Sequence, residues 1–268
     1  MLIDELKRRE ISIFETFVLG RTIYSQNSKV ILWIVLFLGI PIHTMYAIAY
    51  DAFSEVSSGL GFELVTIVRD PMLLEQLMNT ENWNYIVGYY IIMMFIQILF
   101  FPLINMVISA LTRDYVYGKV PSFKDSLIII LEKGHIFVLA TILREGMIFM
   151  GLMCFVVPGI LMYVFFLFYV NAVALDDNGP IEALKHSVGL VKGHFAKIGL
   201  FILVIFGLEY SISQMVQVLM ELSGTGMVTN IISGVISTMI NSVFIVSITL
   251  LYLNRREMKK EADMPNAV

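Results

Sequence analysis

Long apolar runs, rather than apolar–polar alternation, organise this chain. A helix needs about 20 apolar residues to cross roughly 30 Å of hydrocarbon. Six runs meet that requirement, over residues 29–50, 85–111, 135–155, 158–175, 198–219 and 228–254. The third and fourth are separated only by Val157-Pro158-Gly159. A turn is expected there, because proline lacks the amide donor and glycine permits a sharp change of direction. The expectation is an all-α integral membrane fold of six transmembrane helices. They form three hairpins, each preceded by an amphipathic helix on the cytoplasmic surface, in one transmembrane domain over residues 1–268. Its parts are an interfacial helix (1–28), a first hairpin (29–111) with a long outer loop (51–84), second and third helix-plus-hairpin units (113–175 and 176–254) and a cytoplasmic tail (255–268).

The charges give this layout a direction. Sixteen of the 18 basic residues fall before the first run, between the second and third, between the fourth and fifth, or after the sixth. Of the other two, Arg69 is in the outer loop and Arg144 is inside a run. The positive-inside rule then puts both termini in the cytoplasm. The first 28 residues mix Asp4, Glu5, Glu10 and Glu15 with basic residues and lack a small-residue cleavage site after an apolar core, so no cleavable signal is expected. Ile11, Phe14, Phe17, Val18 and Arg21 suit a helix lying on the inner leaflet. Trp33, Trp83, Tyr46, Tyr50, Tyr85, Tyr89 and Tyr90 fall near the ends of runs, as aromatic belts do.

The two inner loops match each other. Pro121 precedes Lys133-Gly134-His135 by twelve residues, and Pro180 precedes Lys192-Gly193-His194 by the same interval. Each intervening segment reads as a short amphipathic helix. Ser122 and Asp125 stand at capping spacing in the first, and Pro180 and Glu182 lie in the first turn of the second. Residues 12–25 have the same character, so the chain reads as a parallel triplication.

Composition narrows the classes. The chain is 58% hydrophobic and 15% charged, with a mean hydropathy of +0.81, against about 45–50% and 25% in soluble domains. Disorder, collagen and disulfide-stapled scaffolds are excluded. A net charge of -4 and a pI near 5.6 argue against a nucleic-acid partner. The single cysteine, Cys154, cannot form an internal disulfide.

Residues 157–200 read VPGILMYVFFLFYVNAVALDDNGPIEALKHSVGLVKGHFAKIGL. Pro158-Gly159 opens an aromatic-rich run ending near Leu175. An acidic-glycine turn, Glu182-Ala183-Leu184 with Ser187, and Lys192-Gly193 follow. This stretch resembles a bacterial six-span membrane-domain superfamily. That superfamily includes the membrane domain of some glycerophosphodiester phosphodiesterases and many stand-alone uncharacterised membrane proteins. The resemblance implies a bacterial cytoplasmic-membrane location and a six-span architecture. It transfers no catalytic residue, because the soluble phosphodiesterase barrel has no room here.

An ionisable residue deep in a span costs at least about 2.5–3.5 kcal/mol, so each one needs a reason. Arg144 and Glu145 lie midway along the third run and Glu209 midway along the fifth. Arg144 can pair with Glu209 or with Glu145. Adjacent helical residues point about 100° apart, so Arg144 and Glu145 cannot both face one partner squarely, and a leftover carboxylate would take a proton or bind a cation. Gln97, Asn105, Asn171 and Asn241 are the other intramembrane polar residues, expected to bond between helices. Ser233, Ser237 and Asn241, beside Gly234 and Thr238, form a small-residue stripe that reads as a packing seam or a pore lining. Pro41 and Pro102 are expected to kink the first two spans.

No zinc motif or phosphate-cradling glycine loop is present, the four histidines are scattered, and Asp176-Asp177-Asn178 reads as a turn and cap. No catalytic residue, metal or cofactor is therefore expected. The outer loop holds Asp51, Glu55, Glu63, Asp70, Glu75 and Glu81 against Arg69. It reads as a solvated segment with a surface helix from Pro71, or as an acidic dock for a cationic ligand. The expected function is non-enzymatic: binding of lipid, or of a membrane-active peptide or partner protein, in envelope maintenance or self-protection. The alternative is a small transporter or channel using Arg144, Glu145 and Glu209. The expected partners are membrane lipids and a peptide or protein at the outer loop.

Overall fold

The computed structural model describes residues 2–60, 82–176, 178–222, 224 and 226–262. The outer loop's acidic residues from Glu63 to Glu81, with Arg69 and Pro71, lie outside the described residues, as does the side chain of Glu55. Among the described residues there is no strand. The six spans fall within helical segments Ser28–Asp51, Trp83–Val116, Phe123–Cys154, Val156–Leu175, Phe195–Met220 and Met227–Ala262, each long and apolar enough to cross a bilayer. Phe37, Phe149, Met150 and Leu203 stand among many exposed apolar side chains on these helices. Such a surface suits hydrocarbon rather than water as its solvent.

The chain begins with α1 (Leu2–Arg8) and α2 (Ile13–Gln26). The start of α2 is a capping box: the Ser12 side chain accepts from the Glu15 amide while Glu15 accepts from the Ser12 amide. Phe14 and Val18 face outward, as an interfacial helix requires. Ile11 does not join them; it is fully buried.

The first span is α3 (Ser28–Ile34), a π-turn (Val35–Gly39) and α4 (Ile40–Leu60); the second is α5 (Asn82–Phe95), a π-turn (Ile96–Phe100) and α6 (Phe101–Val116). Each π-turn ends two residues before a proline, Pro41 or Pro102. The proline ring crowds the carbonyl four residues back and leaves it without a donor, and the wider π-turn accommodates both effects.

The second hairpin is α7 (Phe123–Cys154) followed by α8 (Val156–Phe165). The break falls at Phe155, in extended conformation (φ -163°, ψ 155°), ahead of Pro158. Pro158 sits in the first turn of α8, where a missing amide costs nothing. Gly159 serves close approach instead of turning: a Cβ there would come within 2.3 Å of Leu152 Cδ2 and 3.1 Å of the Leu152 amide nitrogen.

The fourth span is two helices. After α8, residues 166–168 form a turn, and α9 (Tyr169–Leu175) completes the crossing. The next helix, α10 (Pro180–Val191), repairs the break with Ser187, whose hydroxyl donates to the Phe165 carbonyl (2.8 Å) and accepts from the Phe168 amide (3.0 Å). α10 is held inward by buried Ala183, Leu184, Ser187, Leu190 and Val191. The chain must therefore turn at Lys192-Gly193-His194, with Gly193 at φ 88°, before α11 (Phe195–Glu221) can start. The matching Lys133-Gly134-His135 lies inside unbroken α7. There only Ser126 and Ile129 are buried between Phe123 and Lys133, so the surface segment extends straight into its span.

The last helix, α12 (Met227–Ala262), is the axial post, packed against α1, α2, α4, α6, α10 and α11. Its Asn254, Arg255, Arg256 and Glu257 are buried. Asn254 straps down the N-terminal arm, accepting from the Ile11 amide (3.2 Å) and donating to the Leu6 and Arg9 carbonyls (2.8 and 2.9 Å). Glu10 completes the strap by pairing with Lys197 and Arg255. Asp176 accepts from Tyr252 and, at 2.7 Å, from Arg256 Nη1, while Arg256 Nη2 reaches the Tyr117 hydroxyl at 2.6 Å. Asp176 thus ties α9 to α12, a role that the turn reading of Asp176-Asp177-Asn178 missed.

Candidate functional site

Most of the polar residues singled out in the spans converge on one cavity of about 330 Å³. Its wall includes Asn105 and Ser109 from α6, Arg144 from α7, Tyr163 from α8, Tyr169 and Asn171 from α9, Glu209 from α11, and Thr238, Asn241 and Thr249 from α12. Phe101, Pro102, Ile205, Phe206 and Phe244 supply apolar wall. The π-turn ahead of Phe101 and the break ahead of Tyr169 both border the cavity, so departures from regular helix shape its lining.

Arg144 is 9% exposed. Its guanidinium pairs with Glu145, the adjacent carboxylate, and its Cζ lies 4.8 Å from the Tyr163 ring centroid and 4.9 Å from that of Tyr169. Cation–π contacts gain strength away from water. These two tyrosines stand on opposite sides of the break in the fourth span, so Arg144 braces it. The Arg144–Glu209 pair is not formed. Tyr163 packs on the guanidinium and also places its ring 5.6 Å from that of Phe206, one turn before Glu209. Among the described residues Glu209 has no hydrogen-bond or ion-pair partner. Arg144 Nε is also buried and unpartnered, and so is Asn241 Oδ1.

One part of the lining is fully satisfied. Asn171 donates to Ser109 Oγ (3.1 Å) and Thr249 Oγ1 (3.0 Å), which are themselves 3.0 Å apart. Ser109 and Thr249 also donate to the Asn105 and Ile245 carbonyls. This knot joins α6, α9 and α12, so Asn171 is an interhelical link, as expected of an intramembrane asparagine. Gln97 is exposed on the second π-turn and is absent from the cavity wall. The small-residue stripe divides. Gly234 and Thr238 receive His43 of α4, whose Nε2 is 2.8 Å from Thr238 Oγ1, while Asn241 lines the cavity.

Tyr163, Tyr169, Ser109, Thr249 and His43 were not singled out by sequence reasoning. The aromatic-rich fourth run was visible, yet its break, which turns two tyrosines onto one arginine, leaves no proline or glycine mark at 166–168. Among the described residues no group of three or more His, Cys, Asp or Glu side chains is arranged to hold a metal ion.

Six apolar helices, a lipid-suited exterior and an internal polar cavity define a multi-pass membrane protein of all-helical fold. Residues 128–255 match the family model described as "Domain of unknown function (DUF7847)". The match spans the second and third hairpins, contains residues 157–200, and includes Arg144, Glu145, Asn171, Glu209 and Asn241. It fits a membrane-domain family and carries no activity. No curated protein and no solved structure matches the chain.

Proposed function

We propose that this protein is a non-enzymatic binding protein of the bacterial cytoplasmic membrane, with both termini in the cytoplasm, that holds a lipid or lipid-like molecule by its polar part in the intramembrane cavity. The observation that carries the reading is the gathering of Arg144, Asn171, Asn241 and a Glu209 carboxylate without a partner among the described residues around one intramembrane space. A purely structural role would pair the Glu209 carboxylate, because a polar group left unpartnered within the membrane costs about 1–3 kcal/mol. A ligand supplying complementary groups removes that cost. The cytoplasmic assignment rests on the distribution of basic residues.

Native mass spectrometry of protein extracted in mild detergent tests the reading. One stoichiometric adduct is expected on the parent, reduced in Glu209→Gln and in Asn241→Leu, which projects apolar bulk into the space. A bare parent refutes it.

One observation favours a second reading, a carrier. The fourth span is discontinuous beside the cavity, an arrangement found at the substrate sites of many secondary transporters. Proton or cation flux in proteoliposomes, abolished by Glu209→Gln, supports the carrier; its absence in the parent refutes it for those ions.

A further inference from the structure

We infer that the cavity selects an organic ammonium, a molecule of net positive charge with a small apolar body. The inference rests on the binding reading and names the chemical class of its ligand. Its basis is the charge balance of the lining. Among the described lining residues the formal charges are Arg144 and Glu209. Arg144 is already neutralised by the adjacent Glu145, and the rings of Tyr163 and Tyr169 pack on its guanidinium. Glu209 has no hydrogen-bond or ion-pair partner among the described residues. The space therefore carries one uncompensated negative charge.

An anion would meet Glu209 with no free cation opposite. A neutral molecule would leave the carboxylate bare, and a lone charge is costly to hold within a membrane. A cation remains, and the rest of the lining decides which kind. A hard inorganic cation takes about six oxygen ligands. The hydroxyls of Ser109, Thr249 and Thr238 are already hydrogen-bonded, and Asn241 Oδ1 is sealed from the space. Few oxygens are left beside Glu209 to build such a shell. An organic ammonium needs none: one carboxylate answers its charge, and its body lies against apolar wall. Phe101, Phe206 and Phe244 supply rings to that wall, and Ile205, Ile245 and Ile248 supply aliphatic surface. Aromatic rings also attract a cation directly. The volume of about 330 Å³ stands at the small end of ligand pockets. At ~30 Å³ for each water-sized group, it holds roughly ten non-hydrogen atoms. The phosphatidylethanolamine headgroup fits less well, because its phosphate would follow the ammonium into a space with no free cation.

Parent, Glu209→Gln and Glu209→Asp proteins are placed in phosphatidylcholine nanodiscs, whose lipid bears no net charge. They are titrated with phenethylammonium, its neutral counterpart 2-phenylethanol and the anion phenylacetate. Heats are referred to empty discs, and helical circular dichroism checks that each variant is folded. Native mass spectrometry of parent protein, both as extracted from membranes and from mixed phosphatidylethanolamine–phosphatidylglycerol discs, identifies any retained molecule.

The expected result is saturable one-to-one binding of phenethylammonium, at least tenfold tighter than either of the other probes. Glu209→Gln should erase that preference, and Glu209→Asp, which keeps the charge, should retain it. Sodium at equal concentration should not displace the ammonium. Equal binding of alcohol and ammonium, as a Glu209 neutralised by a proton would give, would overturn the inference and leave the cavity a binding site. A stoichiometric neutral, anionic or zwitterionic adduct on a protein that shows no ammonium preference would do the same. The absence of both a saturable probe and a retained adduct would overturn the binding reading as well.

Discussion

Replacing Arg144 separates the pairing found here from the pairing with Glu209 that sequence also allowed. Arg144→Met removes the guanidinium from between Tyr163 and Tyr169 and leaves Glu145 unpaired in the membrane. Stranding one member of a buried pair costs about 3–5 kcal/mol. Glu145→Gln leaves the cation clamped by both rings and should cost about 1–3 kcal/mol. The double variant has no stranded charge and loses mainly the two ring contacts, at about 0.5–2 kcal/mol each. The cycle should therefore be non-additive by at least about 1 kcal/mol, with the double variant more stable than the sum of the singles implies. Glu209→Gln supplies the contrast. It removes a carboxylate with no partner among the described residues, so it should be neutral within about 0.5 kcal/mol or stabilising, since burying a lone carboxylate is costly. The assay is reversible unfolding of the delipidated protein in mixed micelles titrated with dodecyl sulfate, followed by loss of helical circular dichroism. Additivity of Arg144→Met with Glu145→Gln, or strong coupling of Arg144→Met with a destabilising Glu209→Gln, would refute the assignment.

Gly234→Ala would put a Cβ 2.2–2.7 Å from three atoms of the His43 ring. Overpacking of about 1–3 kcal/mol and loss of the His43–Thr238 bond should outweigh about 1 kcal/mol of gained helix propensity. Gly146→Ala, with open space around the added atom, should instead be stabilising by up to about 1 kcal/mol in the same titration. The Glu10 carboxyl is held below its ordinary value of 4.5, chiefly by the hydrogen bond from Lys197 and then by the charge of Arg255, against the opposing effect of burial. Its contribution to the strap is therefore complete above that ordinary value and is lost as pH falls through the lower folded one. Amide exchange in residues 2–11, corrected for intrinsic rate, should accelerate as pH falls below the ordinary value of 4.5, and Glu10→Gln should abolish that step. Cys154 is exposed at the turn between α7 and α8. With the termini inside, a membrane-impermeant maleimide should label it from the outer face of intact spheroplasts and should not label Cys154→Ser; labelling only after permeabilisation would reverse the topology.

Sequence by itself determined the number and extent of the spans, because crossing a bilayer demands long apolar runs whatever their packing. It also marked Arg144, Glu145, Asn105, Asn171, Glu209 and Asn241 as residues requiring a reason, since polar groups are costly in hydrocarbon. All but Glu145 line the cavity, and Glu145 holds the arginine that does. Gln97 bore the same mark and stands apart, because one-dimensional position does not say which way a helix face turns. Tertiary structure alone decided which carboxylate Arg144 takes, since the rings of Tyr163 and Tyr169 hold its guanidinium beside Glu145. It alone broke the fourth span at 166–168, where no residue forbids a helix and a serine from another helix satisfies the opened backbone. It alone made one Lys-Gly-His tripeptide a turn and the other a stretch of continuous helix, according to how deeply the preceding segment is buried. Apolar length is a property of the chain in its solvent and can be read one residue at a time. Pairing, breaks and cavities depend on which side chains reach a common point first, and only packed helices decide that.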